Sequence, residues 1–313
     1  MRSHERQMDC TSLLPLNDAT ISMDKLKGII FIALGAASYG VLATFVKIAG
    51  FEGYHTSMIT FSQFLIGFIV LLILNFFRKN KKPETAALRD NSWKKLLFSG
   101  ISLGLTSTFY YLSVQYLPVS VCIILLMQAI WMGSFLDCLL EKRWPGKYQL
   151  LALVVIIAGT LLATGVFHAR IQLDWRGIGF GLLAALSYTA TIYASNRVAT
   201  HVNAISRSLF LVLGGLITLL IFWNTQIIAH FQLAGLWRWG IFLALFGTIL
   251  PPLLFNKGFP KAGMSIGSIV SSIEIPVSIA CAYLFLHEVV SPLQWLGVAV
   301  IITAVVLNVL KDR

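Results

Sequence analysis

Charge is scarce in this sequence. Of 313 residues only 12% are Asp, Glu, Lys or Arg, and just 13 are acidic. A soluble domain carries about 25% charged residues. A chain of this length could not cover its surface in water with so few, which excludes an ordinary soluble globule. Cysteine is also sparse: Cys10, Cys122, Cys138 and Cys281, with no Cys-x-x-Cys pair. The last three fall inside apolar segments and read as small buried hydrophobes rather than disulfides or metal ligands. No His-Glu-x-x-His occurs, and His4, His55, His168, His201, His230 and His287 all lie in tails, loops or segment ends. No Gly-x4-Gly-Lys-Ser/Thr loop occurs either. These absences argue against a metalloenzyme and against ATP-driven work by this chain. No enzymatic activity, cofactor or metal is expected. Residues 1–24 lack the apolar core and cleavage site of a signal peptide. They read as a disordered tail. Met23 opens Met-Asp-Lys-Leu-Lys-Gly just before the first apolar run, so translation starts at Met1 or at Met23.

What the sequence has in abundance is apolar length. It is 57% hydrophobic, with a mean hydropathy of +0.80. A membrane span needs roughly 20 apolar residues. Ten segments qualify: 27–49, 58–77, 95–116, 118–139, 149–167, 175–197, 206–223, 237–257, 263–286 and 292–310. Spans 3 and 4 separate at Leu117-Pro118, and spans 8 and 9 near Pro260 and Gly263. The net charge of +11 is spread over short loops rather than along a stripe, which speaks against nucleic acid. Ten spans with both termini cytoplasmic put twenty of the 24 basic residues inside. Only Lys47, Arg170, Arg176 and Arg238 fall outside, as the positive-inside rule requires.

The second half of the chain echoes the first. GIIFIALGAASY (Gly28 to Tyr39) recurs as GIGFGLLAALSY (Gly177 to Tyr188), identical at seven of twelve positions at an offset of 149. Gly67, Ile69, Leu71, Leu72 and Ile73 recur at Gly215, Ile217, Leu219, Leu220 and Ile221, and Gln149 to Leu162 is echoed from Gln294 to Leu307. A unit with an odd number of spans must enter the bilayer in opposite senses in the two halves. That is the inverted-repeat design of secondary transporters, with a substrate path where the halves meet. The expected fold is therefore an all-α integral membrane protein, ten transmembrane helices as two inverted five-helix repeats. Residues 25–167 form the first repeat and 175–310 the second.

In these features the chain resembles the drug/metabolite transporter superfamily, specifically its ten-helix members with two EamA domains. The carriers are the Gly-x-x-x-Ala-x-x-Ser-Tyr type first helix of each half and a fourth helix closing with Glu141 and Pro145, or Glu288 and Pro292. Ser272-Ile273-Glu274-Ile275-Pro276-Val277 is similar to the family's fourth-helix box, while the first half departs from it with Gln128-Ala129-Ile130-Trp131. The resemblance implies transport of small metabolites, often amino acids or related solutes, frequently as export.

Glu274 is the one carboxylate deep within a span. There a central acid costs on the order of 2.5–3.5 kcal/mol on insertion scales. It either holds a substrate cation or a coupled proton, or it hydrogen-bonds backbone freed by Pro276, with Ser268, Ser271 and Ser272 nearby. Asp137 sits a turn before Glu141 and can reach headgroup water, with Lys142 or Arg143 as partners. Lys47 either snorkels or meets an anionic group at the outer mouth. Ser38, Tyr39, Tyr110, Tyr111, Gln128, Trp131, Ser187 and Tyr188 complete the candidate substrate cavity. Such a site is largely apolar and aromatic with a few placed polar groups. The same aromatics could instead simply pack.

The function expected is secondary-active transport of a small molecule by alternating access around a midplane cavity. A proton-independent facilitator or exchanger is the first alternative, and a membrane scaffold or sensor the second. The chain belongs in the plasma or inner membrane, in contact with lipid. Spans 5 and 10, the least polar, could face lipid or a second copy in a homodimer.

Overall fold

The computed structural model describes residues 22–78, 91–117, 119–142, 144–164, 174–287 and 289–311. Every regular element among them is helical. Residues 1–21 of the expected tail, Pro118, Arg143 and Glu288 lie outside the described residues. The first repeat holds α1 (Met23–Phe51), α2 (Thr56–Phe77), α3 (Ser92–Tyr116), the pair α4 (Val119–Leu126) and α5 (Ala129–Leu140), and α6 (Lys147–Ala163). The second holds α7 (Trp175–Arg197), α8 (Ala204–Ala229) and a short α9 (Leu233–Arg238). It continues with α10 (Gly240–Ala244), a π-helical turn (Leu245–Ile249), α11 (Leu250–Ala262), the pair α12 (Met264–Ser271) and α13 (Glu274–Phe285), and α14 (Pro292–Lys311).

A helix overlies each of the ten expected spans. Eight are long and apolar enough to cross a membrane; Lys147–Ala163 is apolar but shorter. The more polar Ser92–Tyr116 runs for 25 residues. The helix starts have local causes. Ser22, Asp174 and Asn203 each accept a hydrogen bond from a backbone N–H in the first turn of α1, α7 and α8, which satisfies donors that have no partner within the helix. Leu117 is extended, as the residue before a proline is biased to be. Of the two positions expected to part spans 8 and 9, the second makes the break. Pro260 stays inside α11, and the chain breaks at Gly263, whose φ of +85° favours glycine.

The helices interlock across the repeats. α1 packs on α11 and α13, while α3 packs on α7. Two elements meet their own repeat counterparts, α2 with α8 and α6 with α14, and the fourth spans of the two repeats meet through α5 and α12. That is the contact pattern of a pseudo-twofold relation. The main apolar core gathers Ile32, Ile130, Ile156, Tyr188, Phe255, Phe259 and Ile269 from both halves.

The two ends of the bundle are polar. At the end carrying the start of α1, Lys261 pairs with Asp24 at 3.1 Å, and Arg197 reaches Glu141 at 2.9 Å and Asp137 at 3.4 Å. At the opposite end Glu52 accepts from Arg238 at 3.0 Å and from the Trp239 indole at 2.8 Å. There the rings of His55 and His230 stack with centroids 4.1 Å apart.

Arg207 corrects one reading of its charge. Counted as a loop cation, it is 1% exposed. Its guanidinium donates to the carbonyls of Ala194, Ser195 and Val198 at the end of α7, and to Asn256 O at 2.8 Å. Ser195 O and Val198 O lie at the end of α7, beyond its last intrahelical donor, whereas Ala194 O also accepts from Val198 N at 3.1 Å. Asn256 O lies four residues before Pro260, where the missing N–H leaves a carbonyl unbonded. One side chain thus satisfies both defects.

Candidate functional site

The fourth helix of each repeat is broken, and the breaks fall at matching positions. α4 stops at Leu126 and α5 starts at Ala129; α12 stops at Ser271 and α13 starts at Glu274. Ala129 and Glu274 differ by 145, the offset of the adjoining repeat block. The second break follows from Pro276, which cannot bond Ser272 O. Ile275 N takes that carbonyl instead at 3.1 Å. The nearby serines do not serve the carboxylate. Ser268, Ser271 and Ser272 donate to Met264 O, Gly267 O and Ile269 O of their own helix. The turn is closed by backbone, so Glu274 is not needed to cap it. Its Oε2 is buried without a hydrogen-bond partner, although the residue as a whole is only partly buried. Leaving a carboxylate oxygen unpaired in a low dielectric is costly.

Three tyrosines lie within electrostatic range of this acid. Glu274 acts electrostatically on Tyr39, Tyr110 and Tyr188. Tyr39 meets Tyr188 edge-to-face at 6.3 Å and Phe255 at 5.8 Å. These tyrosines are the repeat pair recognised at offset 149, now in contact at the interface of the halves. Tyr110 and Tyr111 lie 5.8 Å apart, and Tyr111 shares a hydrogen bond with Thr60. The Tyr188 hydroxyl, like Glu274 Oε2, is buried and unpartnered. Gly40 lets α1 approach this break: a Cβ there would sit 2.6 Å from Glu274 O. The result is a carboxylate, tyrosine hydroxyls and aromatic rings grouped where the two repeats meet. It can hold a small solute bearing a positive group, or a proton.

The other candidates lie differently. Ser38 is buried and donates to Phe246 O at 2.9 Å. That carbonyl is free because, in the π turn, Leu250 N bonds Leu245 O instead. Gln128 donates to Ile124 O at 2.9 Å and accepts from the Trp131 indole at 2.8 Å, so the two form a unit at the first break. The Trp131 ring is 39% exposed. Ser187 is half-buried on α7, and its carbonyl accepts from Thr191. Lys47 is exposed, with Nζ 5.8 Å from the centre of the Phe51 ring.

Asp137 departs from expectation. It is 3% exposed rather than at the headgroups. It accepts from Arg197 and, at 3.2 Å, from Ser265 N at the start of α12. Two polar residues escaped the sequence reading. Gln63 Oε1 is buried and unpartnered, beside Thr248, whose hydroxyl donates to Gln63 O at 2.9 Å. The available signal for Gln63 was an amide, beside Thr60 and Ser62, in a largely apolar span. Among the described residues no cluster of three or more His, Cys, Asp or Glu could hold a metal.

The geometry agrees with what the chain is similar to. The threonine/homoserine exporter RhtA of Escherichia coli (strain K12) is 26% identical over 239 residues, 75% of this chain and 76% of that protein. An uncharacterized transporter of Archaeoglobus fulgidus is 26% identical over 277 residues, covering 88% and 94%. A solved crystal structure superposes with a TM-score of 0.71 at 14% identity, over 93% of this chain and all of that one, which speaks to the fold alone. The model of the EamA-like transporter family matches residues 26–165 and again 175–310. With two such units spanning most of its length, the chain belongs to the EamA-like transporter family and is a multi-pass membrane protein.

Proposed function

We propose that this protein is a secondary-active exporter of small amino acids or closely related solutes, working by alternating access around the Glu274 pocket. The observation that carries the reading is the carboxylate at a helix break, with an unpaired oxygen, at the interface of two inverted repeats. Discontinuous helices at the midplane are how transporters of this design build their sites. The tyrosines Tyr39, Tyr110, Tyr111 and Tyr188 supply walls and hydroxyls, and Gln128 and Trp131 supply the matching break in the first repeat. A substrate ammonium and a proton would compete for Glu274, and that competition couples their movements. The basic-residue asymmetry supports a topology with both termini in the cytoplasm, in a plasma or inner membrane. Lys47 then stands at the outer mouth.

The name of the Escherichia coli relative supports threonine and homoserine as first substrates to test. Purified protein in liposomes preloaded with unlabelled threonine should accumulate labelled threonine by counterflow. Counterflow with no response to an imposed pH gradient would favour the facilitator reading. A scaffold or sensor would move no solute, and flux no higher than in empty liposomes across threonine, homoserine and other small amino acids would contradict the proposal.

A further inference from the structure

α6 and α14 stand at the edge of the bundle, packed chiefly on each other. They run antiparallel, since Gln294 Nε2 reaches Ala163 O at 3.3 Å. Between them lies a cavity of about 390 Å³, lined by Tyr148, Val155, Ala299, Thr303, Leu307 and Asn308 among others. Its walls are almost wholly aliphatic, and Thr303 turns its hydroxyl back onto Ala299 O at 2.7 Å. Ala299 and Thr303 are exposed, so the cavity opens on the outer face of the bundle.

One end of this groove is chemically different. Asn308 is 5% exposed, and its Oδ1 has no hydrogen-bond partner. It lies three residues before the end of α14, roughly 5 Å along the axis at 1.5 Å per residue. Beside that end, Trp144 is 91% and Tyr148 56% exposed. Amphipathic rings of this kind sit at headgroup level. Lys142 and Lys147 are exposed on the same segment. From Asn308 to Leu296 the groove runs about 18 Å along α14, comparable with one leaflet of a hydrocarbon core about 30 Å thick.

We infer that the groove between α6 and α14 binds one anionic phospholipid whose headgroup carries hydroxyl donors, a phosphatidylglycerol-like lipid. One acyl chain fills the groove. The phosphate faces Lys142 and Lys147, and a headgroup or glycerol hydroxyl donates to the buried Asn308 Oδ1. Basic pockets between transmembrane helices are a known way to hold anionic lipid heads. The chemistry selects this occupant: the cations require negative charge, the buried acceptor requires a donor, and the aliphatic walls require a chain.

The test uses the full chain in a neutral maltoside detergent with dioleoylphosphatidylglycerol added. A ligand of the folded state raises its stability by mass action. Wild type should gain several degrees in Tm and retain one lipid in native mass spectrometry. Dioleoylphosphatidylcholine and glycerol phosphate should each give less than half that shift. Ala299→Trp, an exposed position whose side chain would enter the groove, should lose the retained lipid. Asn308→Leu should narrow the preference for phosphatidylglycerol over phosphatidylcholine. A photoreactive phosphatidylglycerol should label residues 296–308 of the wild type, a readout that does not depend on a variant folding. Equal shifts from all additives, retention unchanged in Ala299→Trp, or labelling confined to other helices would overturn the inference. So would a dimer in light scattering that Ala299→Trp abolishes, since a second copy would then fill the groove.

Discussion

Asp137, near the end of the fourth span in the first repeat, accepts a hydrogen bond at 3.2 Å from the backbone N–H of Ser265, at the start of the matching span in the second. Gln149 and Ser134 of the first repeat also bond Ser265. These contacts tie the repeats together at the end of the bundle where α1 begins. An alternating-access protein must release such ties to open that end.

Asp137 and Arg197 should therefore respond unequally to truncation. Asp137 is buried, and Asp137→Ala leaves a buried N–H unpaired, a loss of about 1–3 kcal/mol. Arg197 and Glu141 are well exposed, and such pairs contribute about 0–1 kcal/mol. Asp137→Ala should thus lower the thermal midpoint clearly, while Arg197→Ala, which leaves Asp137 its bond from Ser265 N, should lower it less. Equal losses would mean that the ion pair, not the link to Ser265, holds this end.

Arg207 should not tolerate replacement by an apolar chain of similar length. Arg207→Met takes the side-chain donor from the carbonyls of Ser195, Val198 and Asn256, and a buried carbonyl left unpaired costs about 1–3 kcal/mol. Total stabilities of only about 5–15 kcal/mol leave little margin for that. Arg207→Met should aggregate on size-exclusion chromatography. Arg207→Lys, a point charge without the planar fork, should fold but melt earlier. A monodisperse, fully stable Arg207→Met would contradict this role.

His55 gives the opposite end a pH dependence. Its Nδ1 accepts from Ser57 N at 3.3 Å, capping α2 in the neutral form. Burial, with the charge of His230 adding to it, holds His55 below its ordinary value of 6.5. The unfolded chain therefore binds the proton more readily, and stability falls as the pH drops through about 6.5 toward the lower folded value. Asparagine can cap a helix without titrating in this range. Between pH 7.5 and 5.5, His55→Asn should lose less thermal stability than wild type; parallel curves would count against it.

The lining of the path can be mapped with single cysteines at Tyr39, Tyr111, Gln128, Trp131 and Tyr188 in a background lacking the native four. These should react with small polar thiol reagents, and an Ile301 control should stay silent. Reporters after Arg313 and within residues 80–90 should be cytoplasmic, and one near Gln172 external. Reaction at Ile301 alone would move the path, and an external reporter after Arg313 would reverse the topology.

The helices were readable because a bilayer demands long apolar runs, and the pairing of Tyr39 with Tyr188 was foreshadowed by the repeat. Pro276 announced the second helix break. The first had no such mark, since Gln128-Ala129 contains neither Pro nor Gly. The roles of Arg207 and Asp137 could not be read, because the backbone carbonyls around Arg207, and the Ser265 N–H and Arg197 side chain at Asp137, are brought close by tertiary packing. The π turn was equally hidden, as was the bond by which Ser38 on a distant helix takes the Phe246 carbonyl that the turn leaves free.

The central claim rests on Glu274 as the group where proton and substrate meet. Glu274→Gln keeps size and hydrogen bonding while removing titration, and it avoids the ambiguity of a truncated side chain. The decisive measurement compares this variant with wild type in the same liposomes, for threonine uptake driven by a pH gradient and for counterflow without one. The expected result is loss of gradient-driven uptake with counterflow retained. Gradient-driven uptake at the wild-type rate would contradict it and leave Glu274 a structural residue.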